Sequence, residues 1–163
     1  MQIEGWLDRF LRQRRVAVLA IPRPGRSPLA TPVWFDWDGS TIRVQVEASS
    51  AKARALAGAA PVPVALTVQS EVPPYRYAVI HGTATLHAND RPGLRRRLAR
   101  RYFGRLGGDL YVAQEEQRGN GEEAQRLIEI LPTRTVSHDF RPEAGLSGRL
   151  YFALYRWLRP VPA

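Results

Sequence analysis

The sequence predicts an α+β fold that is mostly β, built as a six-stranded antiparallel barrel with peripheral helices. Apolar runs of strand length recur along the chain, and tight turn signals such as Asp38-Gly39 separate them. The alternation of strands and helices that builds a parallel sheet is missing, and no strand is followed by a glycine-rich phosphate fingerprint. An antiparallel barrel therefore suits the pattern better than a sandwich or a doubly wound sheet.

The length of 163 residues suits a single domain, and a hydrophobic fraction of 44% is typical of a globular protein. Residues 1–15 are expected to contain a short N-terminal helix, because Trp6, Leu7 and Phe10 follow helical spacing. Residues 16–140 are expected to form the barrel with its inserted helices, and residues 141–163 a C-terminal helical extension.

Six strands are expected along the barrel. Tight turns join the first three, which predicts an antiparallel meander. The last strand follows Pro132. The six ranges are Val16–Ile21, Leu29–Trp37, Thr41–Val46, Val62–Val68, Tyr77–His87 and Arg134–Phe140.

Helices are expected between the later strands. Ser49–Ala57 is rich in alanine and opens with a serine cap. Leu94–Leu106 is strongly basic, and Leu94, Leu98, Tyr102 and Leu106 share one face. The glycine-rich segment Gly107–Gly121 is predicted to be a mobile loop or an irregular connection, followed by a short helix over Glu122–Ile130. A terminal helix begins near Leu146 and ends at Pro160.

The composition excludes several kinds of site. There is no cysteine, which removes disulfides, cysteine-based zinc sites and thiol nucleophiles. All but one of the 24 basic residues are arginine, the exception being Lys52, and the net charge of +9 favours an anionic partner. No apolar run approaches the roughly 20 residues of a membrane helix, and the N-terminus does not resemble a signal peptide. A cytoplasmic protein is expected.

The three histidines do not form a recognisable catalytic or metal-binding pattern. His81 and His87 lie six residues apart on one predicted strand, and His138 is far away in the sequence. A metal site needs a tighter cluster with carboxylate or further imidazole partners. No nucleophile elbow with a Ser-His-Asp order and no H-E-x-x-H motif occurs. We therefore predict no catalytic side chain and no metal site.

The basic helix offers an alternative function. Its arginines could contact nucleic-acid phosphates, in which case binding would depend on salt. Because the apolar face of the helix is complete, we favour the interpretation that the arginines are its solvated side, and no nucleic-acid partner is expected. The arginines concerned are Arg95, Arg96, Arg97, Arg100, Arg101 and Arg105.

The segment from Ser49 to Leu56 carries an unusual charge pattern. Acidic residues suit the first turn of a helix, yet here Lys52 and Arg54 follow the serine cap and no acidic residue accompanies them. Free backbone N–H groups, a serine hydroxyl and two cations would together hold a phosphate. A fraying surface helix with two solvated cations explains the same pattern equally well, and local physics leaves both interpretations open.

A resemblance to a known family rests on these residues and three further segments. Ser50-x-Lys52-x-Arg54 resembles the S-x-K-x-[RK] segment of the pyridoxamine 5′-phosphate oxidase-like split β-barrel flavoproteins. The similarity is greatest to their flavin- and deazaflavin-dependent oxidoreductases of the B type. The other matching segments, in order along the chain, are Val16–Ala20, Thr31–Phe35 with Trp37–Gly39, and Pro73–Tyr77 with Val79–Ala84.

The resemblance implies a cofactor and the residues that bind it. It implies an FMN-binding split barrel whose cofactor phosphate meets Ser50, Lys52 and Arg54, together with Ser49. It also implies that the strand Thr31-Pro32-Val33-Trp34 lies along the tricyclic ring and that a homodimer holds cofactor at its interface. The cofactor of such enzymes carries the hydride, which agrees with a chain that shows no catalytic cluster.

The function expected from the sequence is therefore that of an oxidoreductase. It would use FMN or the deazaflavin F-420 to transfer a hydride to or from a small conjugated organic substrate. Two alternatives stay open: a non-catalytic flavin- or heme-binding protein, with His81 or His138 as heme ligand, and a basic nucleic-acid-binding module.

Overall fold

The computed structural model describes residues 3–58, 61–88, 93–141 and 145–158, and the helices and strands below are those of these ranges. In chain order they are α1 (Gly5–Leu11), β1 (Ala17–Arg23), β2 (Arg26–Val33), β3 (Asp36–Trp37), β4 (Ile42–Glu47), α2 (Ala51–Leu56), β5 (Val62–Gln69), β6 (Arg76–Ala88), α3 (Leu94–Gln117), β7 (Gln125–Asp139) and α4 (Gly145–Leu158).

In the described part of the chain, the seven strands form one antiparallel sheet in the order β2-β1-β5-β6-β7-β4-β3. The predicted α+β, mostly β fold class is confirmed. The strand count is seven rather than six because the predicted strand Leu29–Trp37 is interrupted. β2 ends at Val33, and β3 begins at Asp36.

The interruption also makes the predicted meander wrong. β2 and β3 lie at opposite edges of the sheet, so the first three strands do not follow one another in space. β4 pairs with β7, with Ile42 opposite Ile130, and not with β2. The side chain of Phe35 is fully buried, and it anchors in the core the segment that connects β2 to β3.

The core fills the inside of the barrel, and alternation along the strands explains why. Ala17, Leu19 and Ile21 of β1 are fully buried, whereas Val16 and Val18 are exposed on the outer face. Helix α1 covers this core with Leu7, Phe10 and Leu11, all of which are buried. The predicted N-terminal helix is thus present over Gly5–Leu11, and residues 1 and 2 lie outside the described residues.

Helix α3 contradicts the prediction for Gly107–Gly121. The helix continues to Gln117, so most of the segment is helical and not an irregular connection. The backbone leaves helical geometry at Gly104, whose φ of 78° is a conformation that favours glycine. The bend divides α3 into an N-terminal arm, residues 94–103, and a C-terminal arm, residues 105–117.

The two arms of α3 fold back on each other at Gly108. A Cβ atom on this residue would lie 2.4 Å from the backbone nitrogen of Arg100, so only glycine permits so close an approach. The glycines that suggest a loop in the sequence therefore serve as a bend and a helix–helix contact. Leu106, predicted to lie on the apolar face, is 76% exposed because the bend precedes it.

Strand β7 replaces the short helix predicted over Glu122–Ile130. A single 3-10 turn, Glu122–Ala124, precedes the strand. Leu127 and Ile128 are both buried although they face opposite sides of the strand. Ile128 belongs to the barrel core, whereas Leu127 packs under α3 with Leu94 and Leu98. Apolar residues on both faces give β7 the spacing that resembles a helix.

Helix α4 agrees with the predicted terminal helix, although its predicted end at Pro160 lies outside the described residues. Leu150, Tyr151 and Leu154 are more than half exposed, so these side chains are not docked on the barrel. Among the residues described, no helix is both long and apolar enough to cross a membrane.

Candidate cofactor site

A cavity of about 570 Å³ lies where the end of β2, the end of β4, the start of α2 and both arms of α3 meet. Five of the eight predicted site residues line it: Pro32, Val33, Trp34, Ser50 and Lys52. The structure thus brings the end of the second strand together with the start of α2, although the two segments are well separated in the sequence.

Thr31, Ser49 and Arg54 do not line this cavity. Thr31 is paired with Leu19, whose side chain is fully buried, so Thr31 lies on the inner face of the sheet. Arg54 is exposed, and its guanidinium donates a hydrogen bond to the backbone carbonyl of Ser49. That contact directs Arg54 back toward the exposed Ser49.

The start of α2 presents Lys52 to the cavity. Ser50 is the N-cap, and its hydroxyl oxygen accepts a hydrogen bond of 3.2 Å from the N–H of Ala53. In the described ranges, no carboxylate forms an ion pair with Lys52, although Glu47 and Glu115 line the same cavity. A cation and a serine hydroxyl at a helix start form a donor set suited to a phosphate.

Two glutamines add polar groups to the cavity. Gln45 on β4 and Gln125 at the start of β7 both line it, and Gln125 is buried. Among the described residues, the Nε2 group of Gln45 is buried and has no hydrogen-bond partner. An orphaned donor of this kind beside a cavity fits a ligand that carries a carbonyl oxygen or a ring nitrogen.

Aromatic side chains form another part of the cavity wall. The ring of Trp34 is stacked on Tyr102, with centroids 4.9 Å apart and planes at 10°, and Tyr111 packs at 5.6 Å. Burial raises the pKa of Tyr102, whose hydroxyl donates to the carbonyl of Arg15 and accepts from the N–H of Phe35. The stack fixes Trp34 on the side of the cavity where β2 ends.

A buried ion pair joins the two arms of α3 beside the cavity. Arg95 is 7% exposed and Glu115 9% exposed, and the closest nitrogen–oxygen distance between them is 3.4 Å. Arg95 also donates to the carbonyl of Asn120. A hydrogen bond from the Asn120 amide lowers the pKa of Glu115, and Arg118 and Arg95 lower it further. Glu115 is therefore held as a carboxylate.

Sequence reasoning missed nine residues that line the cavity: Val16, Gln45, Val46, Glu47, Arg95, Leu98, Tyr111, Glu115 and Gln125. The sequence pattern places Arg95 on a solvated face and Tyr111 and Glu115 in a mobile loop or irregular connection. No local signal in the sequence identifies them, because the glycines at 104 and 108, which let the helix fold back, have the same local pattern as a loop.

Comparison with protein families decides the assignment. Residues 5–135 match the model of a family described as pyridoxamine 5′-phosphate oxidase. The chain belongs to this family. The resemblance drawn from the sequence is thereby confirmed. No curated protein matches the chain.

Solved structures of other proteins share the fold. The conserved hypothetical protein Rv2991 from Mycobacterium tuberculosis is 22% identical, with a TM-score of 0.66, and 88% of this chain covers 89% of that chain. A structure described as an F420 reductase is 23% identical, with a TM-score of 0.56 and coverages of 82% and 98%. The FAD and heme binding protein from Mycobacterium smegmatis is 20% identical, with a TM-score of 0.57 and coverages of 85% and 72%. These likenesses establish that the chain has the split-barrel fold.

The histidines lie away from the cavity of this family member. His81 pairs with Arg134 on β7, and His138 packs at 4.1 Å against Phe140 and is stacked on Tyr77. His87 lies 3.8 Å from Glu129. In the part of the chain that is described, no three histidine, aspartate or glutamate side chains gather as a metal site requires.

The arginines of α3 are not one solvated face, which corrects the interpretation of the basic helix. Arg95 is buried beside the cavity. The guanidinium of Arg101 donates to the carbonyls of Phe35, Leu11 and Gln13 at 2.6–3.2 Å. Arg100 forms two hydrogen bonds with Asp109 on the other arm. These three arginines hold the helix to itself and to the barrel.

Proposed function

We propose that this protein is an oxidoreductase that binds a phosphate-bearing flavin-type cofactor, FMN or the deazaflavin F-420, in the cavity beside α2. The observation that carries the proposal is the position of Lys52. The one lysine of the chain lines the same cavity as Pro32, Val33 and Trp34. The cationic end and the strand end that a flavin-type cofactor needs therefore border one space.

The cationic end suits the cofactor's phosphate. Lys52 supplies a compact positive charge, and the hydroxyl hydrogen of Ser50 stays available because the cap uses only its oxygen. The first turn of a helix also leaves backbone N–H groups without intrahelical acceptors. Arg54 and Ser49 both lie outside the cavity, so we assign phosphate binding chiefly to Ser50 and Lys52.

The other end suits a flat ring with polar edges. The strand end at Pro32–Trp34 offers backbone groups, and Trp34 is fixed by its stack on Tyr102. The orphaned Nε2 group of Gln45 would donate to a carbonyl oxygen or ring nitrogen. The residues present therefore fit a group with one anionic end and one aromatic, polar-edged end.

The chain's own contribution to the reaction is orientation. When bound, a flavin-type cofactor supplies the hydride chemistry, and the protein places it against the substrate. Trp34 and Tyr111 offer apolar surface beside which a small conjugated substrate would lie. No residue of the chain is assigned as a catalytic acid or base.

We also propose that the protein acts as a homodimer with the cofactor at the interface. Paired residues lie on the same face of a sheet. Val18 pairs with Pro32 and with Thr67, and these residues face the outside of the barrel. Further across the sheet, Val79 and Val136 form a pair on the same outer face. Val18 and Val136 are 43% and 40% exposed. Val16, on the same strand end, lines the cavity, so a second copy that covered this face would border the bound cofactor.

A titration of the purified protein tests the proposal. Absorbance and fluorescence are recorded as FMN, F-420 or heme is added, and the stoichiometry is expected to be one cofactor per chain. Lys52→Ala is expected to weaken binding by about tenfold or more, since a hydrogen bond to a charged group contributes ~1.5–3 kcal/mol. Arg97→Ala removes an exposed arginine outside the cavity and serves as the matched control.

Three outcomes would contradict the proposal. Binding of neither FMN nor F-420 would exclude a flavin-type cofactor. Equal affinity of the wild type and Lys52→Ala would exclude the phosphate assignment. Tight binding of heme alone would favour the heme-binding alternative, for which the positions of His81 and His138 outside the cavity give no support. The described residues favour no second function.

A further inference from the structure

We propose that the protein has a second anion-binding site, which takes the phosphate or carboxylate group of a small ligand and is separate from the Lys52 cavity. The site is a cavity of about 660 Å³ between the segment after α1, the connection from β5 to β6 and the end of β7. Four arginines line it: Arg14, Arg15, Arg76 and Arg141. No predicted cofactor residue lies in it.

Three of the four arginines form no ion pair with a carboxylate of the described residues. Among the described residues, Arg141 has an ion pair, with Asp139, whereas Arg14, Arg15 and Arg76 have none. Among the residues that the structure describes, Glu71 is the one acidic residue that lines the cavity. Four guanidinium groups thus face a space with fewer negative charges than positive ones, which leaves a local excess of positive charge.

Arg15 and Arg76 are held together despite their like charges. Both guanidinium groups lie over the ring of Phe10, at 4.6 and 4.9 Å from its centroid. Burial lowers the pKa of each, and their mutual repulsion lowers the pKa of Arg15 further. The fold keeps two like charges against one phenylalanine ring, an arrangement that a bound anion would stabilise.

Arg76 has unused hydrogen-bonding capacity. In the ranges that the structure describes, its Nε group is buried and has no partner. A guanidinium that stacks on a ring uses its face and keeps its N–H edges for other partners. Contact with Phe10 therefore accounts for the position of Arg76 but not for its N–H groups, which suit the planar or tetrahedral oxygens of an anion.

Hydrogen bonds to the end of β5 and to the residue after it hold Arg15 and Arg76 in place. Ser70 is buried, its hydroxyl accepts from the N–H of Arg76 at 3.0 Å, and its N–H donates to the carbonyl of Arg76 at 2.8 Å. Arg15 in turn donates to the carbonyl of Gln69. These contacts hold the Arg76 backbone and the Arg15 guanidinium beside the cavity, which is the preorganisation that a binding site requires.

The second site borders the proposed cofactor cavity. Val16 lines both cavities, and Tyr102, which lines the second, is stacked on Trp34 of the first. The proposal nevertheless does not depend on the cofactor, because free anions test it directly.

Calorimetric titration of the full chain with pyrophosphate and, separately, with citrate tests the site. The wild type is expected to bind at least one of the two, and the preferred probe identifies the ligand group as phosphate or carboxylate. Arg76→Gln and Arg15→Gln are each expected to weaken binding by about tenfold or more, the effect of losing a charge-assisted hydrogen bond. Circular dichroism checks that each variant is folded, and Arg14→Gln replaces any variant that is not.

Two control variants separate this site from the other sources of anion binding. Arg97→Gln lowers the net charge equally but lies outside both cavities, and its affinity should equal that of the wild type. Lys52→Ala should keep the binding that Arg76→Gln weakens and should lose only pyrophosphate held in the first cavity. The proposal is overturned if neither probe binds or if Arg97→Gln weakens binding as much as Arg76→Gln. It is also overturned if Lys52→Ala alone abolishes binding, since the anions then occupy the first cavity.

Discussion

The two arms of α3 differ in composition and in environment. The N-terminal arm carries five arginines and no acidic residue, whereas the C-terminal arm carries one arginine with Asp109, Glu115 and Glu116. On the N-terminal arm Leu94, Leu98 and Ala99 are buried, and the charged Arg95 is buried with them. On the C-terminal arm Leu106 and Leu110 are 76% and 63% exposed. Apolar residues are therefore exposed on one arm while an arginine is buried on the other.

The difference shows that contacts, and not residue type, decide where these side chains lie. The N-terminal arm is bound to the barrel by Arg101, whereas the C-terminal arm is bound to the N-terminal arm by Arg95–Glu115 and Arg100–Asp109. The first attachment therefore affects the stability of the whole fold. The second affects the shape of the cavity, because Tyr111 and Glu115 of the C-terminal arm line it.

The largest effect is expected from Arg101→Gln on the N-terminal arm. The guanidinium of Arg101 donates to three backbone carbonyls, and its side chain is only 18% exposed. Its loss leaves carbonyl groups of Leu11, Gln13 and Phe35 without this donor, which is expected to cost about 3 kcal/mol of the free energy of unfolding. Urea denaturation measures it, with the exposed Arg97→Gln as control. Equal midpoints for both variants would show that Arg101 does not attach the arm.

A smaller, local effect is expected from Glu115→Ala on the C-terminal arm. The change leaves Arg95 buried without its carboxylate, and we expect a loss of about 2 kcal/mol, less than for a fully enclosed pair because the cavity admits water. The neighbouring Glu116→Ala, which removes an exposed carboxylate, is the control. Cofactor binding should weaken in Glu115→Ala alone, since the arm that carries Tyr111 is loosened. Unchanged cofactor affinity would show that the C-terminal arm does not contribute to cofactor binding.

The same pair predicts a dependence on pH. The pKa of Glu115 is lowered in the folded protein, first by the Asn120 amide and then by Arg118. Its stabilising contribution is therefore complete above the unfolded pKa of about 4.3 and is lost as the pH falls through the lower folded value. The difference in unfolding free energy between the wild type and Glu115→Gln should be constant near neutral pH and shrink in acid. A constant difference down to acid would contradict the ion pair.

The barrel could be predicted from the sequence where alternation was simple. β4 and β5 were found with boundaries within one residue, because one face of each is buried and turns mark their ends. The back-folded α3 could not be predicted, because Gly104 and Gly108 carry the same local signal as a loop. Only the contact of Gly108 with Arg100 shows that the glycines serve packing.

The candidate site divides in the same way. Ser50 and Lys52 could be found because cations in a first helical turn break a local rule, and the helix start does border the cavity. Arg95 and Glu115 could not, since they are 20 residues apart and meet only through the bend. Thr31 lies outside the cavity although Val33, on the same inner face, lines it, because the cavity lies at the end of β2 and Thr31 is two residues before that end.

The smallest effect is expected from Asp109→Asn, which removes the exposed ion pair between the arms. Asp109 accepts two hydrogen bonds from Arg100, and that hydrogen bonding lowers the pKa of Asp109, yet both side chains are about 40% exposed. Water and salt screen such a pair, so the urea midpoint at moderate ionic strength should equal that of the wild type, with a small loss visible only at low salt. Cofactor affinity should be unchanged, in contrast to Glu115→Ala. If Asp109→Asn weakened cofactor binding as much as Glu115→Ala, the exposed pair would contribute equally to the position of the C-terminal arm. The buried pair alone would then not explain how that arm is held beside the cavity.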